Sequence, residues 1–221
     1  MSFATPQAAL DILATSKGFH KTDFYSVFPP PKHPDIFTEV REEVHARKKR
    51  VATGPYSLAS LRKLTFWVDE TMNVLSAKLD DFVVSGHACD LGEWLHFFAF
   101  DVLGEVVFSR PFGFLDTGTD VAGTIRTIAR SYRYSGLVGQ IPWIDHFLRR
   151  NPLWQFVAFR ATKHVHVTEI ALRELQRRTS GEVVASRPDL LSQLMRAVGE
   201  ADAEKETLTE GDVFAIAHGA M

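Results

Sequence analysis

The sequence predicts an all-α fold of one domain, or two at most, and three observations lead to that prediction. Apolar residues recur at steps of three and four over long segments, as they do on the buried face of an amphipathic helix. Residues that commonly begin or end helices, such as Thr5-Pro6 and Gly86, flank those segments. The 221 residues are 45% hydrophobic and 24% charged, which is ordinary globular composition and enough to bury a sizeable core.

The composition excludes several classes of protein. A single cysteine rules out an intramolecular disulfide framework, and the formal net charge of -2 argues against a nucleic-acid partner. No run of about 18 apolar residues predicts a membrane-spanning helix, and no signal peptide opens the chain. The nine histidines show no ligand spacing, so we expect no metal bound directly by this chain.

The first helix is predicted to have Thr5 as its N-cap and Pro6 as its first residue, and to end at Lys17-Gly18. A loop from residue 24 to residue 34 should follow. Its prolines are too many for a helix or a central strand: Pro29, Pro30, Pro31 and Pro34.

A long helix is predicted from about Ser57 to Val84, between a break at Gly54-Pro55 and a terminator at Gly86. Asp90 followed by Glu93 predicts a capping box for the next helix, which is apolar nearly all round and should be the most buried. The apolar positions of the long helix form one core-facing stripe: Leu61, Leu64, Val68, Met72, Leu75, Leu79 and Phe82.

Weaker patterns predict the remaining elements. The helices are expected at Gly118 to Ser135, Trp143 to Leu148, Pro152 to Arg178 and Leu190 to Val198, and a last one is capped by Thr209 with Asp212. Gly136 to Pro142 and the acidic run Glu200 to Glu206 are predicted to be loops.

Asp101 and Glu105 lie one turn apart in the apolar helix and could be taken for a catalytic pair of carboxylates. We predict instead that they make structural hydrogen bonds or ion pairs with neighbouring helices. The sequence contains neither a phosphate-binding loop nor a G-x-S-x-G nucleophile motif, which excludes the commoner alternative enzymes.

The segment from Val44 to Val51 reads Val-His-Ala-Arg-Lys-Lys-Arg-Val, after an acidic stretch that complements the helix dipole. On a helix, His45 and Lys49 lie one turn apart on one face with Arg50 beside them. Three interpretations are open: a solvated amphipathic helix, a nucleic-acid patch that the net charge disfavours, or a face that offers cations and an imidazole to a buried anion. Spacing alone does not decide among them.

This segment and its flanks resemble the C-helix region of fungal haem-thiolate monooxygenases, the cytochrome P-450 superfamily, whose signature there is His-Ala-x-x-Arg-Arg. Phe100 to Phe108, with Phe112-Gly113-Phe114, resembles the E helix of that family, and Phe214 to Met221 resembles the opening of its I helix. The three blocks occur in family order across nearly the whole chain. The resemblance therefore covers the region from the B helix to the start of the I helix.

The resemblance implies specific site residues. His45, Lys49 and Arg50 would face the haem propionates, although Lys49 stands where the family has arginine and provides a point charge without a bidentate fork. The proline-rich loop often lies over the substrate pocket in this family. Accordingly, its aromatic residues Phe24, Tyr25 and Phe28 are expected to contact a ligand; the alternative is that they pack the loop onto the helices.

The sequence also departs from the family pattern. It contains no Phe-x-x-Gly-x-x-x-Cys-x-Gly loop, no Glu-x-x-Arg motif, and no acidic-Thr motif after Met221, and the surroundings of Cys89 do not fit a haem ligand. We therefore expect residues 1–221 to be an incomplete helical portion of the cytochrome P-450 fold. As a truncated homologue, it would not retain haem or catalyse the family reaction alone.

The family reaction is monooxygenation of a lipophilic small molecule in fungal secondary metabolism, with O2 and electrons from an NADPH-cytochrome reductase. The alternatives are one half of a split haem monooxygenase, completed by a second haem-binding fragment, and a non-enzymatic helical binding module. Family members are anchored to the endoplasmic reticulum membrane. This chain shows no anchor, so we expect a cytoplasmic location.

Overall fold

The computed structural model describes residues 3–14, 19–28, 34–150, 166–182, 187–203 and 211. Within these ranges the chain forms helices and no strand, which confirms the all-α prediction. The α-helices are α1 (Pro6–Leu13), α2 (Glu42–Thr53), α3 (Leu58–Arg62), α4 (Thr65–Ser85), α5 (Leu91–Phe108), α6 (Phe114–Thr117), α7 (Thr124–Val138), α8 (Pro142–Arg150), α9 (His166–Thr179) and α10 (Leu190–Ala203). Short 3₁₀ turns lie at Asp23–Val27 and Val121–Gly123.

Several predicted helix ends are confirmed. The Thr5 hydroxyl accepts a hydrogen bond from the Ala8 backbone N–H at 3.2 Å and so caps α1. Asp90 caps α5 in the same way through the N–H of Glu93, also at 3.2 Å. Gly86 ends α4 with a φ of 69°, a left-handed conformation that favours glycine.

The single long helix predicted from Ser57 to Val84 is wrong, because the chain breaks into α3 and α4. At the break the Thr65 hydroxyl donates to the Arg62 carbonyl at 2.9 Å, so a side chain replaces a helical backbone partner. Leu64 is buried in this bend. The predicted stripe fails on both sides of it, since Leu61 and Met72 are exposed.

The region from Gly118 to Val138 also differs from the prediction. The helix α7 begins at Thr124 rather than at Gly118, because Ala122 and Gly123 adopt left-handed conformations with φ of 52° and 68°. Asp120 then caps α7 by accepting from the N–H of Ile125 at 2.9 Å. The helix runs on to Val138, so the first residues of the predicted loop are helical.

The helix α10 extends to Ala203 and includes the start of the acidic run that was predicted to be a loop. In addition, α8 is longer at both ends than predicted. The end of the first helix predicted at Lys17-Gly18 is wrong, because α1 ends at Leu13 and Ala14 is already extended. Other predictions lie outside the described residues: the prolines 29–31, residues 152–165 of one predicted helix, the cap at Thr209 and the block 214–221.

The helix α5, predicted to be the most buried, buries Phe97, Asp101, Gly104, Val107 and Phe108 but leaves Leu91 and Leu95 exposed near its start. It packs against α4, α6 and α10, and α10 also packs against α2. One cluster of buried residues joins α2, α5, α9 and α10: Val51, Ala52, Val107, Phe108, Leu175, Leu190, Leu191, Leu194 and Val198. A second cluster joins α4, α5 and α6: Leu75, Phe97, Phe114 and Leu115. The described helices include none long and apolar enough to cross a membrane.

Asp101 and Glu105 have structural roles, as predicted. The buried Asp101 carboxylate accepts hydrogen bonds from four successive backbone N–H groups at 2.8 to 3.2 Å, those of residues 112 to 115. It thereby fixes the turn between α5 and α6. Glu105 pairs with Arg187, whose guanidinium lies 4.2 Å from the centroid of the Trp67 ring.

A buried ion pair that the sequence did not reveal joins α9 to α10. The Arg178 guanidinium lies 2.7 Å from Asp189 Oδ2 and also donates to the Phe108 carbonyl at 3.2 Å. The Ser109 hydroxyl donates to the same Asp189 oxygen at 2.6 Å. Burial alone would raise the pKa of Asp189, but these hydrogen bonds and those from Ser192 outweigh it and lower that pKa.

Candidate functional site

The basic residues of α2 point in different directions. Lys48 is 2% exposed, whereas Lys49 and Arg50, two of the three predicted propionate contacts, are both exposed. The His45 side chain, the third predicted contact, is 20% exposed. His45 and Lys49 therefore lie one turn apart on a side of α2 that reaches the surface of the described residues.

The His45 imidazole has an unused hydrogen-bonding atom. Its Nδ1 is buried and has no hydrogen-bond partner within the described residues; the Glu42 carboxylate, at 3.8 Å, is too distant. A buried polar atom without a partner costs free energy unless something else supplies one. The neighbouring Lys49 ammonium and Arg50 guanidinium are cations, so the partner that fits this face is an anion.

Lys48 is a buried basic residue of α2, and its internal contacts were not predicted from the sequence. Its Nζ donates to the Pro34 carbonyl at 2.5 Å and lies 3.6 Å from a Glu39 carboxylate oxygen. Glu39 is itself buried, and its Oε1 forms an ion pair with Arg41 Nε at 2.9 Å. Burial alone would raise the pKa of Glu39, but the hydrogen bonds from Arg41 and the charge of Lys48 outweigh burial and lower that pKa below its ordinary value.

These contacts hold the anchored loop, our name for residues 34–40, against α2. Asp35 and Thr38 reinforce it from within: the Thr38 N–H and hydroxyl each donate to Asp35 Oδ1 at 2.7 Å. Lys21 approaches from the other side and donates to the carbonyls of Ile36 and Phe37 at 2.7 and 2.8 Å. Burial lowers the pKa of Lys21, and the charge of Lys49 acts in the same direction.

Five aromatic side chains gather beside the anchored loop, and we call them the aromatic cluster: Phe24, Tyr25, Phe28, Phe37 and Tyr132. Phe37 is central, with its ring centroid 5.2 Å from that of Tyr25 and 5.6 Å from that of Phe28, both edge to face. Tyr132 of α7 lies 6.1 Å from Phe28.

The 3₁₀ turn that carries the first rings is held by α7 and α8. Its buried Val27 accepts a hydrogen bond through its carbonyl from Ser135 of α7 at 3.3 Å. The Phe24 ring lies so close to Gly139 that an added Cβ there would be 2.6 Å from it. The backbone of this turn is therefore fixed, while the rings of Phe37 and Tyr132 remain 51% and 58% exposed.

The structure thus brings the predicted ligand residues Phe24, Tyr25 and Phe28 together with one another and with two rings that no sequence pattern would have included. Phe37 and Tyr132 come from distant segments, and no spacing rule relates them. The anchored loop joins this cluster to α2, so the two predicted sites are neighbours. Contact of either site with haem or substrate stays a prediction.

Comparison with known proteins shows which family this chain is similar to. The sequence model of the family described as "Cytochrome P450" matches residues 4–221. The chain is 34% identical over 207 residues to the cytochrome P450 monooxygenase mpaDE of Penicillium roqueforti, a match that covers 88% of this chain and 24% of that relative. It is 37% identical over 158 residues to the cytochrome P450 monooxygenase pkfB of Emericella nidulans, which covers 69% of this chain and 31% of the relative.

A third relative, cytochrome P450 monooxygenase AFLA_114810 of Aspergillus flavus, is 31% identical over 216 residues, or 91% of this chain. The chain spans 24% to 42% of the length of these relatives. No solved structure matches it. The family match covers nearly every residue and agrees with the helical fold, so this chain belongs to the cytochrome P450 family.

Proposed function

We propose that this chain forms the propionate-facing and substrate-facing helical part of a haem monooxygenase that acts on a lipophilic small molecule. The observation that carries the proposal is the face of α2, where the buried Nδ1 of His45 has no described partner and lies on the same side as the exposed Lys49. The family implies haem as the cofactor, and a haem propionate is an anion of the kind that this face fits.

The three residues would hold a propionate in different ways. His45 would donate a hydrogen bond from its imidazole, Lys49 would supply a point charge, and Arg50 would supply a planar guanidinium. When bound, haem supplies the iron at which O2 is activated. The thiolate for that iron would come from outside these 221 residues, since the only cysteine, Cys89, lies between α4 and α5 in no family motif.

The aromatic cluster would provide the apolar surface for the substrate and keep water from it. Electrons would come from an NADPH-cytochrome reductase, and relatives of this kind suggest a substrate of fungal secondary metabolism. These assignments, like the cytoplasmic location, stay predictions. The comparisons give no support to the alternative of a non-enzymatic binding module.

The test compares binding of metal-free protoporphyrin IX, which carries both propionates, with binding of its dimethyl ester, which carries no free carboxylate. Fluorescence anisotropy is recorded on the full 221-residue chain and on Lys49→Met. The wild-type chain should prefer the diacid. Because one charge-assisted contact contributes about 1.5–3 kcal/mol, Lys49→Met should weaken binding of the diacid by at least about tenfold and leave the ester unchanged.

Lys63→Met is the matched control, because Lys63 is an equally exposed lysine at the end of α3 and should not affect either ligand. Lys49→Arg should strengthen binding of the diacid, since it restores the bidentate fork that the family has there. Equal affinity for diacid and ester in the wild-type chain would contradict the proposal, as would a Lys63→Met variant that loses as much affinity as Lys49→Met.

A further inference from the structure

Lys21 makes an unusual combination of contacts for a lysine that lies outside any helix. Its Nζ donates to two consecutive carbonyls of the anchored loop, those of Ile36 and Phe37 at 2.7 and 2.8 Å. The same atom lies 5.6 Å from the centroid of the Tyr25 ring, within the range of a cation–π interaction. Lys21 therefore contacts both the backbone that carries Phe37 and the ring that Phe37 packs against.

The rest of the anchored loop is held from elsewhere. Lys48 holds the Pro34 carbonyl at one end, and Asp35 and Thr38 bond to each other in the middle. Both sets of contacts attach the loop to α2 or to itself, and neither reaches the 3₁₀ turn that carries Tyr25 or the Phe28 that follows it. Lys21 supplies the described polar contacts between the anchored loop and the segment just before this turn.

The position of Phe37 decides the shape of the aromatic cluster. Its ring meets those of Tyr25 and Phe28 at interplanar angles of 80° and 90°, which is the edge-to-face geometry that aromatic pairs prefer. Such contacts are lost when a ring moves by more than a fraction of its width. We infer that Lys21 is a positioning residue that sets Phe37 against Tyr25 and Phe28 and so fixes the arrangement of the aromatic cluster.

This role concerns the folded chain and needs no ligand. Its consequence for substrate selection rests on the proposed function, because only there does the cluster contact a substrate. Replacement of Lys21 would then change which lipophilic molecules bind while leaving the α2 face intact. The porphyrin experiment tests the α2 face, so failure of that proposal and failure of this inference are separable.

The test uses 3-fluorotyrosine incorporated in the full chain and one-dimensional ¹⁹F NMR. The chain has four tyrosines, two in the cluster and two outside it: Tyr25 and Tyr132, and Tyr56 and Tyr134. Tyr56 packs against the core cluster of α2 and α10, and Tyr134 donates to Asp145 at 2.6 Å. We expect Lys21→Met to shift the Tyr25 and Tyr132 resonances by more than their linewidths and to leave the Tyr56 and Tyr134 resonances in place.

Two further variants separate positioning from general destabilisation. Lys21→Arg should return the Tyr25 resonance toward its wild-type place, since a guanidinium can donate to both carbonyls. Lys78→Met removes another lysine that donates to a carbonyl, that of Asp116 at 3.4 Å, and should move none of the four resonances. Because Lys21 itself lies within cation–π distance of Tyr25, the Tyr132 resonance is the one that reports on the arrangement of the cluster. The inference fails if Lys21→Met leaves the Tyr132 resonance unmoved, or if all four resonances move together.

Discussion

The helices α2 and α5 both carry charged residues, but they treat them in opposite ways. On α5, the Asp101 carboxylate is buried and satisfied by four backbone N–H groups, and Glu105 is paired with Arg187. On α2, Lys48 is satisfied internally, while the buried Nδ1 of His45 has no described partner and Lys49 is exposed. The carboxylates of α5 are thus satisfied by the protein itself, whereas the basic residues His45 and Lys49 leave one side of α2 available to a partner.

The comparison teaches which charges in an apolar setting point to function. A pair of acids one turn apart resembles a catalytic pair, yet the Asp101 carboxylate is buried and its hydrogen bonds go to the backbone of the α5–α6 turn. A basic run resembles a solvated face, yet the His45 imidazole, whose Nδ1 has no partner among the described residues, lies beside the exposed Lys49 and leaves capacity for an anion. Satisfaction of hydrogen bonds separates the two cases more sharply than the charge pattern does.

If the charges around α5 are structural, removing one should cost stability, and the largest effect is expected at Arg178. Arg178→Met removes the cation from the buried Asp189 and from Glu174, which lies 3.3 Å away, and takes a donor from the last carbonyl of α5. Leaving buried carboxylates unpaired should lower the free energy of unfolding by about 4 kcal/mol. Urea denaturation followed by far-UV circular dichroism measures the change.

The matched control for that variant is Arg126→Met. Arg126 pairs with Asp120 at 3.2 Å, but its side chain is 75% exposed, so its loss should cost less than about 0.5 kcal/mol. Equal losses from the two variants would mean that the buried pair contributes no more than a surface pair, and would remove the basis for the structural reading of the charges near α5.

The second effect in size is expected at Asp101. Asp101→Asn keeps one carbonyl oxygen but places an amide group near the N–H groups of the α5–α6 turn, so at least one of them loses its acceptor. With the charge-assisted character also lost, the free energy of unfolding should fall by about 2–3 kcal/mol. Asp69→Asn, at an exposed position of α4, is the control and should stay within about 0.5 kcal/mol of wild type. A negligible loss in Asp101→Asn would mean that the turn does not depend on the carboxylate.

Several helix ends were predictable from local rules, although the end predicted for α1 at Lys17-Gly18 was not correct. Thr5, Asp90 and Gly86 each specify a helix end through contacts within a few residues, and each was predicted correctly. The break between α3 and α4 was missed because periodicity continues across it, and only the burial of Leu64 and a hydroxyl of Thr65 reveal the bend. The late start of α7 depends on Ala122, which adopts a conformation unusual for alanine.

The candidate site shows the same limit. One helical turn of spacing was enough to place His45 and Lys49 on a common side of α2, and the resemblance gave them a role. The burial of Lys48 instead of its neighbour depends on Glu39 and the Pro34 carbonyl, which reach it through the fold of the anchored loop. Phe37 and Tyr132 join the aromatic cluster in the same way, through tertiary packing that no local pattern encodes.

The smallest effect on stability tests the comparison within α2 itself, at two adjacent lysines. Lys48→Met leaves the Pro34 carbonyl without its ammonium donor, so the free energy of unfolding should fall by about 1–2 kcal/mol. The loss is smaller than that at Arg178 because Glu39 keeps Arg41 as a partner at 2.9 Å. Lys49→Met removes an exposed side chain and should change stability by less than about 0.5 kcal/mol.

The two variants should exchange their ranking when porphyrin binding is measured in place of stability. Lys49→Met should lose the preference for protoporphyrin IX over its dimethyl ester, and Lys48→Met should retain it, because the Lys48 ammonium is already committed to Pro34 and Glu39. Neighbouring lysines of identical chemistry would then differ only in where the fold directs them. If both variants lose stability and porphyrin preference to the same extent, α2 does not divide into a structural and a ligand-facing side, and its contrast with α5 disappears.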